Sequence, residues 1–518
     1  MSESPEATGS AMSPQHLHTS GFAARVQGED VALADLEQRC RTAVSSGART
    51  QFVYAWYPGR LEDPELRYVL HPRSGQPPQV WRCRPGAESP PSLAAIAPLL
   101  SWYEREITDL CGIRFRNEPQ PLPHVLLPGA RFERPPLLPG PAPRLIYTPD
   151  DLDLPEISGP RAADVQLLPF GPIRAGVLES AQFKFFYIGE AILHYHPQLF
   201  FKHRGMEKRF EGVLPSLGAV LAERVSGVGS VAHALAYCQA VEAAAECIVP
   251  RRAAWLRVLL AELERLYNHL HYLGHLSHTT TLKVGEAQGL YLEELAKQIN
   301  CIATGSRLLR GLLTPGGLRR EPRLTEIAPL LRRLGKELEP YTAMLESTTS
   351  HLDRLISTGE LARQLAFDQG ATGPVERASG VDRDCRRDQP YGAYPELSLR
   401  VALRKSCDAH ARQQVRIDEI GYSIELINRV LEGLPAGSLR VKCEPPPDSE
   451  GLGWTESPRG TLYYAVHLDS ERALARVKIK SPSFSNWRVF AYTVHDSNMM
   501  DYAINEASFG LTVAGCDR

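Results

Sequence analysis

Hydrophobic and polar positions change their spacing several times along the chain. "TQFVYAWYP" (50–58) and "LRYVLHP" (66–72) have the β-branched and aromatic content of strands, whereas "LAAIAPLLSWYEREITDLCGI" (93–113) reads as a helix. In that helix Leu100, Tyr103, Ile107 and Leu110 recur at a helical spacing, with charge on the other side. From 128 to 162 the periodicity stops. "RFERPPLLPGPAPRLIYTPDDLDLPEISGP" predicts a semi-rigid linker or an arm lying on a surface, because each proline removes a backbone donor and fixes φ. Strand character returns in "AQFKFFYIGEAILHYHPQLF" (181–200), where "GE" can close a hairpin.

Long amphipathic stretches follow at 215–247, 251–278, 284–312, 323–358 and 398–433. In the second of them Leu256, Leu259, Leu260, Leu263, Leu266, Tyr267 and Leu270 make one apolar face. "GTLYYAVHL" (460–468) and "ARVKIK" (475–480) again read as strands. The expected fold class is α+β. A tail over 1–21 is expected to be disordered, an α/β domain fills 22–127, and the linker runs over 128–162. A mainly helical bundle with peripheral β-hairpins takes up 163–518, and no internal repeat is visible.

Composition narrows the classes. With 518 residues, 43% hydrophobic and 23% charged, the chain can bury a large core. A net charge of −2 gives no electrostatic reason for a nucleic-acid partner. No apolar run approaches the roughly 20 residues that span a bilayer, and the N-terminus lacks the basic start and apolar centre of a secretory signal, so a cytoplasmic chain is expected. The ten cysteines include no C-x-x-C pair, so no iron–sulfur cluster is expected on this chain alone.

Candidate chemistry is concentrated in four places. "HRGMEK" (203–208) packs an imidazole, two cations and an acid into six positions, which in isolation is also what a solvated helix start looks like. The stretch 371–394 sets Arg383, Arg386 and Arg387 among Asp382, Asp384 and Asp388; such a density persists only when nearly every charge is paired, at an interface, a polar cavity or an ion-paired loop. His271, His275 and His278 share one helix face with metal-ligand spacing, but no fourth ligand is evident and packing at the core edge is the commoner use. "ERVSGVGSVAH" (223–233) has the glycines of a metal-site loop but Ser226 and Gly229 where such a loop carries thiolates. There is no G-x-G-x-x-G, P-loop or G-x-S-x-G, hence no support for nucleotide binding or serine hydrolysis.

"HRGMEK", "ERVSGVGSVAH", "LRVLLAELERLYNHL", "TPGGL", "ATGPVERASGVDRDCRRDQPY", "ESPRG", "KIKSPSFSN" and the final "DR" follow one another in this order. The series resembles the large-subunit family shared by energy-converting nickel–iron hydrogenases and the 49-kDa, quinone-site subunit of complex I. "WYEREITDLCGIRF" and "LPHVLLPG" resemble the 30-kDa subunit of complex I. The fusion of both resembles the large subunits of formate hydrogenlyase and hydrogenase-4. That resemblance implies a peripheral subunit on the cytoplasmic side of the cell membrane. Its partners are an iron–sulfur small subunit and membrane antiporter-like and anchor subunits, and electron transfer is coupled to ion translocation. The iron–sulfur cluster belongs to the partner, a quinone or another small oxidant is the implied acceptor, and NAD enters only through the wider complex.

Departures from the family pattern bear on mechanism. Nickel-bearing members carry R-V-C-G-I-C-G-x-A-H at the loop and a second C-x-x-C just before the final D-R. Here Ser226 and Gly229 hold the first pair of ligand positions, Thr512 and Gly515 the second, and Cys516 is off register by one. Hydroxyls are hard, weak ligands where nickel and iron need bridging thiolates, so no metal is expected at the site. Against complex I, Arg174 replaces the first histidine of the quinone site, Leu178 or Glu179 falls near the second, and Arg224 holds the tyrosine position. An arginine does not release its proton to a quinone. The resemblance leaves His203, Arg204 and Glu207 facing the partner's cluster. It also points to Arg174, Arg224, Ser226 and Arg459 as the residues of a vacated, anion-friendly cavity. A non-catalytic coupling subunit is the alternative.

Overall fold

A computed structural model describes residues 28–59, 63–72, 75–148, 164–174, 179–495 and 497–518. The expected disordered tail, 1–21, lies outside the described residues, as do residues 149–162 of the proline-rich stretch and Leu178.

The first unit comprises β1 (Gly28–Asp30), α1 (Leu36–Ser45), β2 (Arg49–Trp56), β3 (Glu65–His71), β4 (Gln79–Cys83) and α2 (Leu100–Cys111). Its sheet has the order β1-β4-β3-β2, with β1 parallel to β4 and the other pairs antiparallel. Leu100, Tyr103, Ile107 and Leu110 of α2 are all buried, as their spacing requires, and the helix stops at Gly112 in the left-handed region (φ 79°).

Residues of β3 are buried throughout and those of β2 nearly so, although successive side chains of a strand point to opposite faces. Both faces are therefore covered, and the large unit supplies part of the cover. The Phe52 ring lies 5.7 Å from Tyr463, Tyr54 Oη lies 3.0 Å from His467 Nε2, and Arg49 pairs with Glu376. The two units share one continuous hydrophobic core.

The proline-rich arm is less irregular than its composition implies. Within it β5 (Ala130–Phe132) and β6 (Leu145–Tyr147) form an antiparallel pair. Leu137 is buried, and its N–H donates to Leu110 O at 2.9 Å, so this part of the arm lies against the C-terminal end of α2.

The large unit opens with a meander, β7 (Gln166–Phe170), β8 (Gln182–Ile188) and β9 (Ala191–Gln198), in which Gly189 and Glu190 make the expected turn. Helices α3 (Met206–Arg209), α4 (Pro215–Ala222), α5 (Ser230–Ala244), α6 (Arg251–Thr279) and α7 (Lys283–Thr304) follow. The short hairpin β10 (Leu313–Thr314) and β11 (Gly317–Leu318) leads to α8 (Ile327–Ser347) and α9 (Thr349–Leu355). Three short helices, α10 (Arg363–Asp368), α11 (Pro374–Ala378) and α12 (Cys385–Asp388), precede α13 (Ala409–Gly433). A three-stranded sheet of β12 (Glu450–Ser457), β13 (Gly460–Leu468) and β14 (Leu474–Lys480) is followed by α14 (Pro482–Phe490), α15 (Tyr502–Phe509) and α16 (Val513–Asp517).

Four of the five periodic stretches break or end early. The loop 223–229 divides 215–247 into α4 and α5, Thr348 divides 323–358 into α8 and α9, the helix over 284–312 stops at Thr304, and only 409–433 of 398–433 is helical. Strand β12 gives no sequence signal because its inward positions are Gly451 and Gly453. A β-carbon there would lie 2.0 Å from Ala240 O and 2.1 Å from Ala236 O, so glycine lets the strand lie directly on alanine-rich, fully buried α5.

One buried ionic cluster spans both units. Lys478 Nζ lies 2.7 Å from Glu106 of α2 and 3.1 Å from Glu207 of α3. Arg518 reaches the same two carboxylates at 2.8 and 3.1 Å, and Arg476 lies 2.8 Å from Glu207. Burial would raise the Glu207 pKa, but Lys478, Arg476 and Arg518 outweigh it and hold the carboxylate well below its usual range. Removing one acid from such a set leaves buried cations short of partners. Glu106→Ala is expected to cost about 3–5 kcal/mol, read as a lower midpoint in urea unfolding; an unchanged midpoint would show that the cluster adds no net stability.

Candidate functional site

The loop between α4 and α5 is anchored from α6. Tyr267 Oη and Asn268 Nδ2 donate to Val228 O at 3.0 and 2.8 Å. Glu264 accepts from Val231 N at 2.6 Å and Ala232 N at 3.0 Å, placing a carboxylate on the exposed donors of the first turn of α5. Burial raises the Glu264 pKa to about 7 in spite of these bonds. His233, one turn into α5, accepts or donates at Nδ1 with Tyr464 Oη 2.8 Å away, and burial lowers its pKa to about 3, so the ring is neutral.

The second segment, 512–518, is anchored by Glu179, whose carboxylate accepts from Val513 N at 2.5 Å and Ala514 N at 2.9 Å. Arg204 joins the two segments. Its guanidinium donates to Arg224 O (2.8 Å) and Val225 O (2.6 Å) on the loop and to Ala514 O (3.1 Å) on α16.

These anchors bring the four positions of the family's ligand pattern together. A β-carbon at Gly229 would lie 3.9 Å from Ser226 Cβ; one at Gly515 would lie 3.6 Å from Ser226 Oγ and 2.5 Å from Thr512 Oγ1. Ser483 Oγ completes the group at 3.1 Å from Thr512 Oγ1. The donors at the meeting point are hydroxyls, and two positions have no side chain. Cys516 offers no substitute: its thiol is fully buried, burial pushes its pKa far up, and its charged neighbours include Glu106 and Arg518. This donor set does not fit a nickel–iron centre.

The arginines expected to share the cavity have different partners. Arg174 is buried against Phe183 (4.8 Å to the ring centroid) and forks onto both oxygens of Glu506 at 3.1 and 2.9 Å. Arg224 has half its side chain exposed and turns back to Val220 O and Glu223. Arg459 alone reaches the loop's supports, donating to Asn268 Oδ1 at 2.7 Å and Gly510 O at 2.8 Å. A three-arginine, anion-friendly pocket is thus not formed, since Glu506 and Glu223 claim two of the three guanidiniums.

His203, Arg204 and the edge of Glu207 do share a cavity, of about 350 Å³, with Lys208 and Arg209; Phe132 and Leu137 of the proline-rich arm line its other side. His203 Nδ1 lies 2.6 Å from Asp517 O, and burial lowers its pKa. Glu207 is 5% exposed and saturated by the ionic cluster, so its first role is structural.

In the stretch 371–394 Arg387 pairs with Asp382 at the surface, Arg383, Asp384 and Asp388 line a small cavity with Arg49 and His71, and the other charges pair in the interior. Arg377 lies 2.6 Å from Glu419 and 2.9 Å from Glu456, and Arg386 lies 2.7 Å from Asp384 and 3.1 Å from Glu262. His271, His275 and His278 stack in parallel at 6.2 and 6.3 Å on the solvent side of α6, where His271 pairs with Glu293 and His278 with Glu286. Among the described residues, no group of three or more His, Cys, Asp or Glu side chains is placed to hold a metal ion.

The sequence pattern does not mark Glu264, Asn268 or Ser483 as site residues. They stand in motifs that the sequence displays, but on an amphipathic helix or beside a proline they look like ordinary polar positions.

Known proteins share this arrangement. Residues 44–139 match the model of the respiratory-chain NADH dehydrogenase 30-kDa subunit, 204–300 that of nickel-dependent hydrogenase, and 292–447 with 441–518 that of the NADH dehydrogenase 49-kDa subunit. The chain belongs to the family of complex I-like hydrogenase and NADH-quinone oxidoreductase large subunits, in the form that carries the 30-kDa and 49-kDa parts in one polypeptide. It is 30% identical to formate hydrogenlyase subunit 5 of Escherichia coli K12 over 84% of this chain and 78% of the relative. It is 29% identical to hydrogenase-4 component G of the same organism, over 79% and 72%. A subunit from the solved membrane-bound sulfane sulfur reductase, an archaeal respiratory membrane complex, superposes with a TM-score of 0.65 at 25% identity, covering 70% of this chain and all of the other. Relatives of this kind are subunits of membrane-bound complexes, and among the described residues no helix is long and apolar enough to cross a membrane.

Glu264 yields a pH test. Its folded pKa of about 7 lies above the ordinary 4.5, so between those values the folded chain holds a proton that the unfolded chain has lost, and stability falls as pH rises through the window. The loss amounts to about 3 kcal/mol by linkage. Glu264→Gln is expected to flatten the stability–pH curve between pH 5 and 7 in urea titrations; parallel curves for the two proteins would show that the carboxyl titrates normally.

Proposed function

We propose that this chain is the redox-side large subunit of a peripheral arm on the cytoplasmic face of a membrane complex. It exchanges electrons with an iron–sulfur partner, supports coupled ion translocation, and works without a nickel–iron centre. The observation that carries the reading is the meeting of Ser226, Gly229, Thr512 and Gly515 at one point, with no thiolate among them. The cavity beside His203 and Arg204 lies next to that point and supports docking of the cluster-bearing partner there.

Within this reading the hydroxyl group of three residues and Arg459 receive a small acceptor. The hydroxyls donate and accept hydrogen bonds, and the guanidinium favours an acceptor that gains negative charge as it is reduced. A quinone is one class to assay, and the sulfane sulfur reductase likeness adds low-molecular-weight sulfane sulfur as another. The hydrogen bond between Ser483 and Thr512 supports the second reading, a coupling subunit whose former site is closed.

Metal content and turnover of the purified complex separate these cases. Iron from the partner without stoichiometric nickel is expected, and stoichiometric nickel would overturn both readings. Arg459→Ala is expected to slow acceptor reduction at least about ten-fold, comparable to losing one charge-stabilising donor, while dithionite still reduces the cluster. Unchanged acceptor reduction would reject the active site and leave the coupling role.

A further inference from the structure

Two cysteines that the functional site does not use meet on the other side of α5. Cys247 follows the C-terminal end of that helix, and Cys443 lies in the segment that runs beside β11 through the antiparallel bridge between Gly317 and Arg440. Glu242 positions both. Its carbonyl accepts from Cys247 N at 2.9 Å, and its carboxylate accepts from Gly316 N at 2.7 Å. Gly316 O in turn accepts from Val441 N at 3.0 Å, and a β-carbon at Gly316 would lie 3.2 Å from Cys443 Cβ. Cys247 Sγ lies 3.9 Å from the carbonyl of Lys442, the residue before Cys443, and each thiol is part of the other's electrostatic surroundings. Both are half-buried, whereas the third thiol of the neighbourhood, Cys238, is fully buried.

The geometry points to a reversible disulfide between Cys247 and Cys443, formed by exchange with a small-molecule disulfide. Cys247 is the attacking thiol. Burial raises its pKa, but the Cys443 thiol donates toward its sulfur and favours the thiolate. Attack on R–S–S–R forms a Cys247–S–S–R bond and releases one thiolate, which is protonated to R–SH. Cys443, once deprotonated, then attacks the Cys247 sulfur, forms the internal disulfide and releases the second R–SH. Two protein thiols are oxidised and one small disulfide is reduced to two thiols. The bond fastens the far end of α5, whose near end follows the Ser226–Gly229 loop, to the segment beside β11.

The test uses the purified complex, oxidised with glutathione disulfide, quenched by alkylation and digested without reduction. A peptide linking Cys247 to Cys443, cleaved by dithiothreitol, is expected, together with retention of a glutathione adduct at Cys247 in Cys443→Ser. Formation should quicken about ten-fold from pH 7 to pH 8, as thiolate fraction does below a thiol's pKa. Exposed Cys301 reports that the oxidant reached the protein. If Cys301 carries the adduct while Cys247 and Cys443 stay alkylatable, or if wild-type Cys247 keeps a stable adduct without passing it on, the proposal fails.

Discussion

The buried charges of Glu106, Glu207, Arg476, Lys478 and Arg518 are the constraint on which the rest of this molecule depends. Each charge is expensive to remove from water, and the set is tolerable only because the acids and cations are mutually satisfied. Its members come from α2 of the first unit, from the 203–208 motif, from β14 and from the end of α16. Correct pairing therefore requires that all four segments be docked at once. The same docking sets Arg204 between the loop and α16, so the position of the candidate site is a consequence of the interface between the two units.

A second set of charges plays the corresponding part deeper in the large unit. Arg265, Arg377 and Arg386 interlock with Glu262, Asp384, Glu419 and Glu456 across α6, α11, α12, α13 and β12. With α6 held there, Glu264, Tyr267 and Asn268 present a fixed face to the loop. The site is thus framed by side chains whose partners are satisfied inside the protein, and its innermost positions carry hydroxyls or no side chain.

Much of this was legible in the sequence where periodicity is strong. The apolar faces of α2 and α6, the turn at Gly189 and Glu190, and the strands around Tyr463 and Val477 follow from spacing alone. Family motifs led to Ser226, Gly229, Thr512 and Gly515, which the fold brings together. What the sequence hid has physical causes. Strand β12 replaces the usual alternation with Gly451 and Gly453 because a helix backbone lies against it. The packing of the first unit on the second leaves no periodic signal because contacts such as Phe52 with Tyr463 are remote in the chain. Arg174 and Arg224 seemed available to a cavity because Glu506 and Glu223 can be identified as their partners only in three dimensions.

The crowding around Gly515 couples two positions. A side chain there meets the Thr512 hydroxyl before it meets anything else, and that hydroxyl is itself held by Ser483. Thiolates cannot be introduced here in arbitrary order: Thr512 must turn or be replaced before Gly515 can gain a β-carbon. The two positions therefore vary as a pair, and any engineering of soft ligands into this place has to begin at residue 512.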